Sequence, residues 1–194
     1  MRDELNIPDS KKIFLYQGLL EAGRGIEKLT QVFQELYLRE EDKAVLIFLG
    51  MGSLESYIQE VTKNCPIIFY HPAVPHKDLV SWTSSADYGL CFIENTCRSY
   101  ELCMPNKFFE YLMGGIPVFI PYYLKELTLL LNQFHVGEIA ESIDINYLCS
   151  FFKKQIENVH DYSSAIELFK KNYCWEVQEL LLKQVYCEKK GSMN

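Results

Sequence analysis

Short runs of consecutive apolar residues alternate along the chain with longer segments whose apolar residues recur at the helical period. The apolar runs IFLY, VLIFL, IIFY, YGLCFI and VFI occupy residues 13–16, 45–49, 67–70, 88–93 and 118–120. Strands that are apolar on both faces are typical of parallel sheets covered by helices on both sides. The alternation therefore predicts an α/β fold, a Rossmann-like, doubly wound parallel sheet.

The segments between and after these runs predict helices. The pattern places the first four at residues 24–38, 54–61, 76–84 and 105–113. After Pro121 the chain becomes mainly helical, with helices predicted at 124–134, 146–159, 162–169 and 174–186 and a weaker strand at 138–140. We expect one domain over residues 12–187, an N-terminal extension or linker over 1–11, and a flexible tail over 188–194.

Composition excludes several classes of protein. A net charge of −7 and a pI near 5.2 argue against broad nucleic-acid binding, and 48% hydrophobic residues exclude a disordered chain. No apolar run reaches the roughly 18 residues of a membrane span. Residues 1–11 are charged, so we expect no signal peptide. Seven cysteines without a Cys-x2-Cys pair predict a reduced, cytoplasmic protein with no metal site.

Two strand ends carry glycines where ligands bind in such sheets. Gly18 follows the first strand, and Arg24 opens the next helix, where a guanidinium and free amides can face an anion. Gly50 and Gly52 follow the second strand, with Ser53 as a candidate N-cap. Both segments also fit ordinary glycine-rich turns, and the first has the spacing of neither a dinucleotide-binding motif nor a P-loop.

A third segment, PNKFFEYLMGGIPV, combines a cation and a carboxylate on one helix. Lys107 and Glu110 are three residues apart and therefore lie on the same face. This arrangement suits a nucleotide, with its phosphates near the cation and its sugar hydroxyls near the carboxylate. The alternative is a surface ion pair of about 0.2–0.5 kcal/mol, and the spacing alone favours that alternative.

Five blocks in order resemble the C-terminal, nucleotide-sugar-binding half of a GT-B glycosyltransferase of the large retaining family 4. They are LYQGLLEAGRGIEKL, LIFLGMGSLESYI, FYHPAVPHKDLVSWTSSADYGLCFI, PNKFFEYLMGGIPVFIP and YCWEVQELLLKQVY. The second block contains the family's G-x-G turn, with Gly50, and the fourth is similar to bacterial capsule and O-antigen members. The fold implied is one half of a GT-B fold with extra C-terminal helices.

The resemblance implies roles for individual residues. Gly18 matches the glycine under the donor diphosphate, and Arg24 matches a basic residue that neutralises it. Glu110 matches the glutamate that accepts hydrogen bonds from the ribose hydroxyls. Val74 and Pro75 fall in the turn whose backbone contacts the edge of the base.

The sequence departs from the family pattern at two positions. The first glutamate of a Glu-x7-Glu motif is replaced by Leu102, which leaves Glu101 as a candidate for contact with the donor sugar. The first basic residue of the phosphate-binding pair is replaced by Leu19. We expect Lys107 to supply the missing charge or to pair with an acidic neighbour. The loop of residues 102–106, which includes Asn106, is expected to offer amides to the distal phosphate and the sugar.

The function implied is donor binding in a retaining glycosyltransferase. It would transfer a hexosyl or N-acetylhexosaminyl group from a UDP-sugar, or less commonly a GDP-sugar, to a lipid-linked or saccharide acceptor in O-antigen, lipopolysaccharide or capsule synthesis. No Asp-x-Asp motif is present, so we expect neither a metal nor another cofactor. Complete GT-B enzymes have two such domains, so we expect an absent N-terminal acceptor domain and an inactive isolated chain. The complete enzyme is expected to associate peripherally with the inner face of the cytoplasmic membrane.

Two other functions remain open at this point. A sugar-nucleotide 2-epimerase shares the GT-B architecture, but it would need catalytic carboxylates and a histidine drawn from two domains. A non-catalytic, flavodoxin-like binding module is the second alternative. A receiver module of that kind needs an acidic cluster after its first strand and an aspartate at the end of its third, and IFLYQG and IIFYHP supply neither.

Overall fold

The computed structural model describes residues 1–158 and 160–191, which form one parallel six-stranded sheet with helices on both faces. The strands are β1 (Lys12–Leu19), β2 (Ala44–Met51), β3 (Ile68–Pro72), β4 (Tyr88–Leu90), β5 (Val118–Pro121) and β6 (Gly137–Ala140). Their order in the sheet is β3-β2-β1-β4-β5-β6, and every pairing is parallel. The predicted Rossmann-like α/β fold is confirmed.

Ten helices surround this sheet within the described residues. They are α1 (Arg2–Leu5), α2 (Ile26–Leu38), α3 (Glu55–Asn64), α4 (His76–Thr83), α5 (Arg98–Glu101), α6 (Asn106–Met113), α7 (Lys125–Phe134), α8 (Ile145–Glu157), α9 (Ser163–Tyr173) and α10 (Trp175–Gly191). Helices α1 and α5 are not predicted from the sequence, because four residues are too few to show a helical period. Among the described residues, no helix combines the length and apolar character needed to cross a membrane.

The ends of some elements differ from the predicted ones. Strand β4 is shorter than the predicted run over residues 88–93, although Cys91 to Ile93 remain buried. The backbone of α10 continues as a helix through the start of the predicted tail as far as Gly191. Residues 192–194 of that tail, and Val159 at the end of the helix predicted over 146–159, lie outside the described residues.

Aromatic packing fixes one face of the sheet. The ring of Phe14 on β1 stacks on Tyr88 of β4 with 4.8 Å between centroids. Phe33 of α2 and Phe152 of α8 meet the same ring edge-on, at 5.6 and 5.2 Å. Because burial of one such side chain contributes about 1.5–3 kcal/mol, this cluster holds the two helices against the sheet.

Residues 1–11, expected to be a linker, pack against the amino end of the sheet. Ile7 is buried in the core. The Arg2 guanidinium donates to Asp87 at 2.7 Å, and this carboxylate also accepts from the Lys12 ammonium at 3.0 Å and from the Ile13 amide at 2.8 Å. One carboxylate therefore ties the N-terminal segment to the start of β1 and to the residue before β4.

We expect Asp87→Ala to lower the free energy of unfolding by about 1–3 kcal/mol, because it leaves a part-buried amide and two cations without their acceptor. Urea denaturation followed by circular dichroism measures the change. Glu60→Ala is the control, because its ion pair with Lys63 joins side chains that are 66% and 69% exposed. Equal losses in the two variants would contradict the role assigned to Asp87.

Candidate functional site

The carboxyl ends of β1, β2 and β3 form a cavity of about 290 Å³ together with α4 and α6. It lies beside the point where the strand order reverses between β1 and β4, which is the usual ligand position in open parallel sheets. We call it the β1–β3 cavity. The structure brings Gly18, Gly50, Val74 and Glu110 together in its lining.

Glu110 lies on α6 and is held by a residue that the sequence did not single out. Its carboxylate accepts a hydrogen bond from the Gln17 side-chain amide at 2.7 Å. Gln17 is only 1% exposed, and its own amide oxygen lies 2.8 Å from the Thr83 hydroxyl. The carboxylate is therefore fixed at the cavity wall, and its remaining lone pairs are available to ligand hydroxyls.

Lys107, one helical turn before Glu110, forms no ion pair with it. The Lys107 side chain is 9% exposed, and its ammonium nitrogen has no hydrogen-bond partner among the described residues. This nitrogen lies 3.5 Å from the centre of the Tyr16 ring, in a cation–π contact. Burial lowers the pKa of Lys107 to about 8. A buried ammonium without an acceptor is unfavourable by itself and is a ready partner for an anion.

Arg24 brings a second cation to the same region. Its guanidinium carbon lies 5.4 Å from the centre of the Tyr100 ring on α5. Burial raises the pKa of the Cys103 thiol, while the positive charges of Arg24 and Lys107 act in the opposite direction. Both cations therefore lie near the Cys103 thiol, although Arg24 precedes α2 and Lys107 lies in the first turn of α6.

Gly18 and Gly50, at the ends of β1 and β2, have different structural roles. Gly18 has a φ of 114°, and a Cβ there would lie 3.8 Å from the Lys107 ammonium, so its backbone forms an open edge beside the cation. A Cβ on Gly50 would lie 1.8 Å from the Gly18 carbonyl oxygen. Gly50 therefore allows the two strand ends to approach each other. Ser53, a candidate N-cap, instead bonds through its amide and hydroxyl to the Glu21 carboxylate.

The other predicted site residues lie around the rim. Pro75 is exposed immediately before α4, and Asn106 is exposed as the first residue of α6. The candidate for sugar contact, Glu101, is engaged elsewhere: its carboxylate accepts from the Lys125 ammonium of α7 at 2.8 Å, and this bond lowers the pKa of Glu101. Within residues 1–158 and 160–191, no three His, Cys, Asp or Glu side chains are grouped as a metal ion would require.

The sequence gives little indication that Gln17 belongs to the site. It is a polar residue at the end of an otherwise apolar strand, directly before a glycine. That position predicts that the residue lies at the ligand edge of the sheet. It does not predict that the side chain turns inward to Glu110, because the partner is 93 residues away.

No protein-family model matches this chain, and no curated protein sequence matches it. Solved structures do. WaaG, a glycosyltransferase involved in lipopolysaccharide biosynthesis, superimposes with a TM-score of 0.70 at 12% identity, over 89% of this chain and 46% of WaaG. The C-terminal domain of the group 1 glycosyl transferase LpcC from Francisella tularensis gives 0.61 at 12% identity, over 80% of each chain.

TarM from S. aureus, solved as a mutant with UDP, Fondaparinux and α-GlcNAc-glycerol, gives a TM-score of 0.71 at 15% identity, over 92% of this chain and 36% of TarM. This chain thus spans less than half the length of WaaG and TarM. The structural neighbours are GT-B glycosyltransferases. The fold is therefore a Rossmann-like half of a GT-B fold, and the LpcC structure that it resembles is a C-terminal domain.

We expect Lys107→Met to stabilise the ligand-free protein at pH 7, because it removes a buried charge and keeps the length of the side chain. At about 1.4 kcal/mol per pKa unit, the difference between a pKa of 10.5 and one of about 8 corresponds to roughly 3 kcal/mol. A folded-state pKa below the unfolded one makes the wild type more stable as pH rises from about 8 to 10.5. The advantage of the variant should therefore shrink over that range.

Urea unfolding of both proteins at pH 7 and pH 10 tests this expectation. Lys63→Met, at an exposed position on α3, is the matched control and should change stability little at either pH. A Lys107→Met protein that is less stable than the wild type at pH 7, or a difference that does not depend on pH, would contradict the assignment of a buried, unpaired charge.

Proposed function

We propose that this chain is the donor-binding domain of a retaining glycosyltransferase and that it binds a nucleoside diphosphate sugar, with UDP as the nucleotide. The observation that carries the proposal is the Lys107 ammonium, which is buried, has no partner among the described residues and lies beside the open backbone of Gly18. A diphosphate placed there supplies the missing acceptor.

The nucleoside occupies the β1–β3 cavity in this proposal. Apolar side chains such as Leu49 and Leu79 line it and exclude water from the base. Glu110 accepts hydrogen bonds from the ribose hydroxyls, and Gln17 keeps its carboxylate in position. The backbone at Val74, which lines the cavity, and at the following Pro75 contacts the edge of the base.

The diphosphate lies between Arg24 and Lys107. Glycosyl transfer leaves negative charge on the departing diphosphate, and pre-positioned cations in a water-poor site stabilise that charge without rearrangement. Two cations balance the two charges of a bridging diphosphate, so the arrangement works without a metal ion. The net charge of −7 is compatible with this site because only the local field is positive.

Two structural neighbours support UDP as the nucleotide. TarM was solved with UDP, and a trehalose-6-phosphate enzyme from E. coli was solved with UDP-2-fluoro glucose; the second resembles this chain with a TM-score of 0.64 at 12% identity. WaaG, which is involved in lipopolysaccharide biosynthesis, supports a role in surface-polysaccharide synthesis. For that role we propose a lipid-linked or saccharide acceptor. Because this chain spans 46% of WaaG, we propose that an N-terminal acceptor domain completes the active site in a cytoplasmic enzyme at the membrane surface.

Isothermal titration with UDP, GDP and ADP tests the nucleotide site. We expect UDP to bind with a Kd in the roughly micromolar to millimolar range, more tightly than the other two, and equally with or without EDTA. Glu110→Ala and Arg24→Ala should each weaken UDP by about tenfold or more, since a hydrogen bond to a charged group contributes about 1.5–3 kcal/mol. Arg39→Ala, at the exposed end of α2, is the control. Equal affinity for all three nucleotides, or unchanged affinity in Glu110→Ala, would refute the proposal.

The affinity for UDP should also fall as pH rises above about 8. A bound diphosphate favours the charged form of Lys107, so binding above the free pKa of about 8 requires proton uptake and weakens by up to about tenfold per pH unit. Titrations between pH 7 and pH 9, in buffers of different ionisation enthalpy, measure both effects. In Lys107→Met the affinity should be lower and the proton uptake lost. Equal proton uptake in the two proteins would show that another group responds.

A further inference from the structure

A second cavity, of about 330 Å³, opens on the other side of the turn between β1 and α2. The loops that follow β4, β5 and β6 form most of it, and the first turn of α2 closes it. We call it the β4–β6 cavity. The residues that matter for its chemistry are Gly25, Lys28, Phe92, Glu94, Tyr123 and Ile143.

Three polar side chains in this lining have no partner in the described part of the chain. The Tyr123 hydroxyl, the Glu94 carboxylate and the Lys28 ammonium take part in none of its side-chain hydrogen bonds or ion pairs. Tyr123 is only 9% exposed, and burial, together with the nearby Glu94 charge, raises its pKa to about 12. The Tyr123 hydroxyl and the Glu94 carboxylate line the cavity with free hydrogen-bonding capacity, so both are available to a ligand.

The mixture of groups indicates a neutral, polyhydroxylated ligand. Glu94 accepts hydrogen bonds, Lys28 donates them, and the Tyr123 hydroxyl can do both. The two charges are opposite, so the cavity offers no excess positive charge to a phosphate. Phe92 and Ile143 provide an apolar surface for the C–H face of a ring. A sugar ring has this combination of hydroxyls and apolar face.

The β4–β6 cavity lies next to the region of the two cations, Arg24 and Lys107. Arg24 directly precedes Gly25, which lines the β4–β6 cavity. The Glu94 amide donates to the Gly23 carbonyl at 3.0 Å and joins the loop after β4 to the loop that carries Arg24. The β1–β3 cavity lies on the Gly18 side of the same cations. The cations therefore lie between the two cavities.

We propose that the β4–β6 cavity is the subsite for the sugar of the donor and that Glu94 and Tyr123 contact its hydroxyls; this inference rests on the proposed function. Glu94 and Tyr123 then fill the role for which the sequence offered Glu101, whose carboxylate is paired with Lys125. The nucleoside then occupies the β1–β3 cavity, and the diphosphate lies against Arg24 and Lys107. The sugar occupies the β4–β6 cavity.

The test measures how much the sugar contributes to binding. Dissociation constants are determined for UDP, UDP-glucose, UDP-galactose and UDP-N-acetylglucosamine with the wild type, Tyr123→Phe and Glu94→Gln. Both substitutions keep the shape of the side chain. We expect at least one UDP-sugar to bind more tightly than UDP to the wild type, and each variant to weaken that sugar by about three- to tenfold, which matches one hydrogen bond. The affinity for UDP should change less than twofold.

Tyr122→Phe is the matched control, because Tyr122 is 52% exposed and its ring lies beside that of Tyr123. Unchanged UDP binding in the variants shows that they are folded. If UDP binds but the variants leave the ratio of UDP-sugar to UDP affinity unchanged, or if no sugar in the panel changes that ratio in the wild type, the sugar subsite is refuted and the nucleotide site stands. If the wild type does not bind UDP, both proposals fail.

Discussion

The site depends on a positive charge that the protein buries and does not neutralise. Glu110 lies one helical turn from Lys107 and would be its natural partner, but Gln17 donates to that carboxylate at 2.7 Å. The Gln17 side-chain amide thus prevents Glu110 and Lys107 of α6 from forming an ion pair. If the ion pair formed instead, the ammonium would be satisfied within the protein and would gain much less from binding an anion.

Gln17 can do this because two helices hold it in place on β1. Its side-chain oxygen lies 2.8 Å from the Thr83 hydroxyl on α4, and its backbone amide donates to the Tyr111 hydroxyl of α6 at 2.8 Å. All of these groups are buried, so each hydrogen bond is shielded from water and its loss would leave a polar atom unpaired. The packing of α4 and α6 against β1 therefore fixes the geometry of the cavity wall.

The sequence predicts the sheet, the strand ends and most of the helices because these follow from local periodicity. It also places Gly18, Arg24 and Glu110 at the edge where the structure brings them into one region. What it cannot supply are contacts between distant segments. The ion pair of Arg2 with Asp87 spans 85 residues, and the pair of Glu101 with Lys125 spans 24. The competition between Lys107 and Gln17 for Glu110 is of the same kind, because a spacing of three residues cannot show a partner that arrives from another strand.

The close contact between Gly50 and the Gly18 carbonyl has a consequence for how such domains diverge. No side chain fits at Gly50, so the backbone edge that lines the β1–β3 cavity cannot be varied by substitution there. Variation in the choice of base or sugar must instead arise in the surrounding loops, where insertions and exchanges cost little stability. An edge that is fixed while the loops can change is compatible with the 12–15% identity between this chain and its structural neighbours.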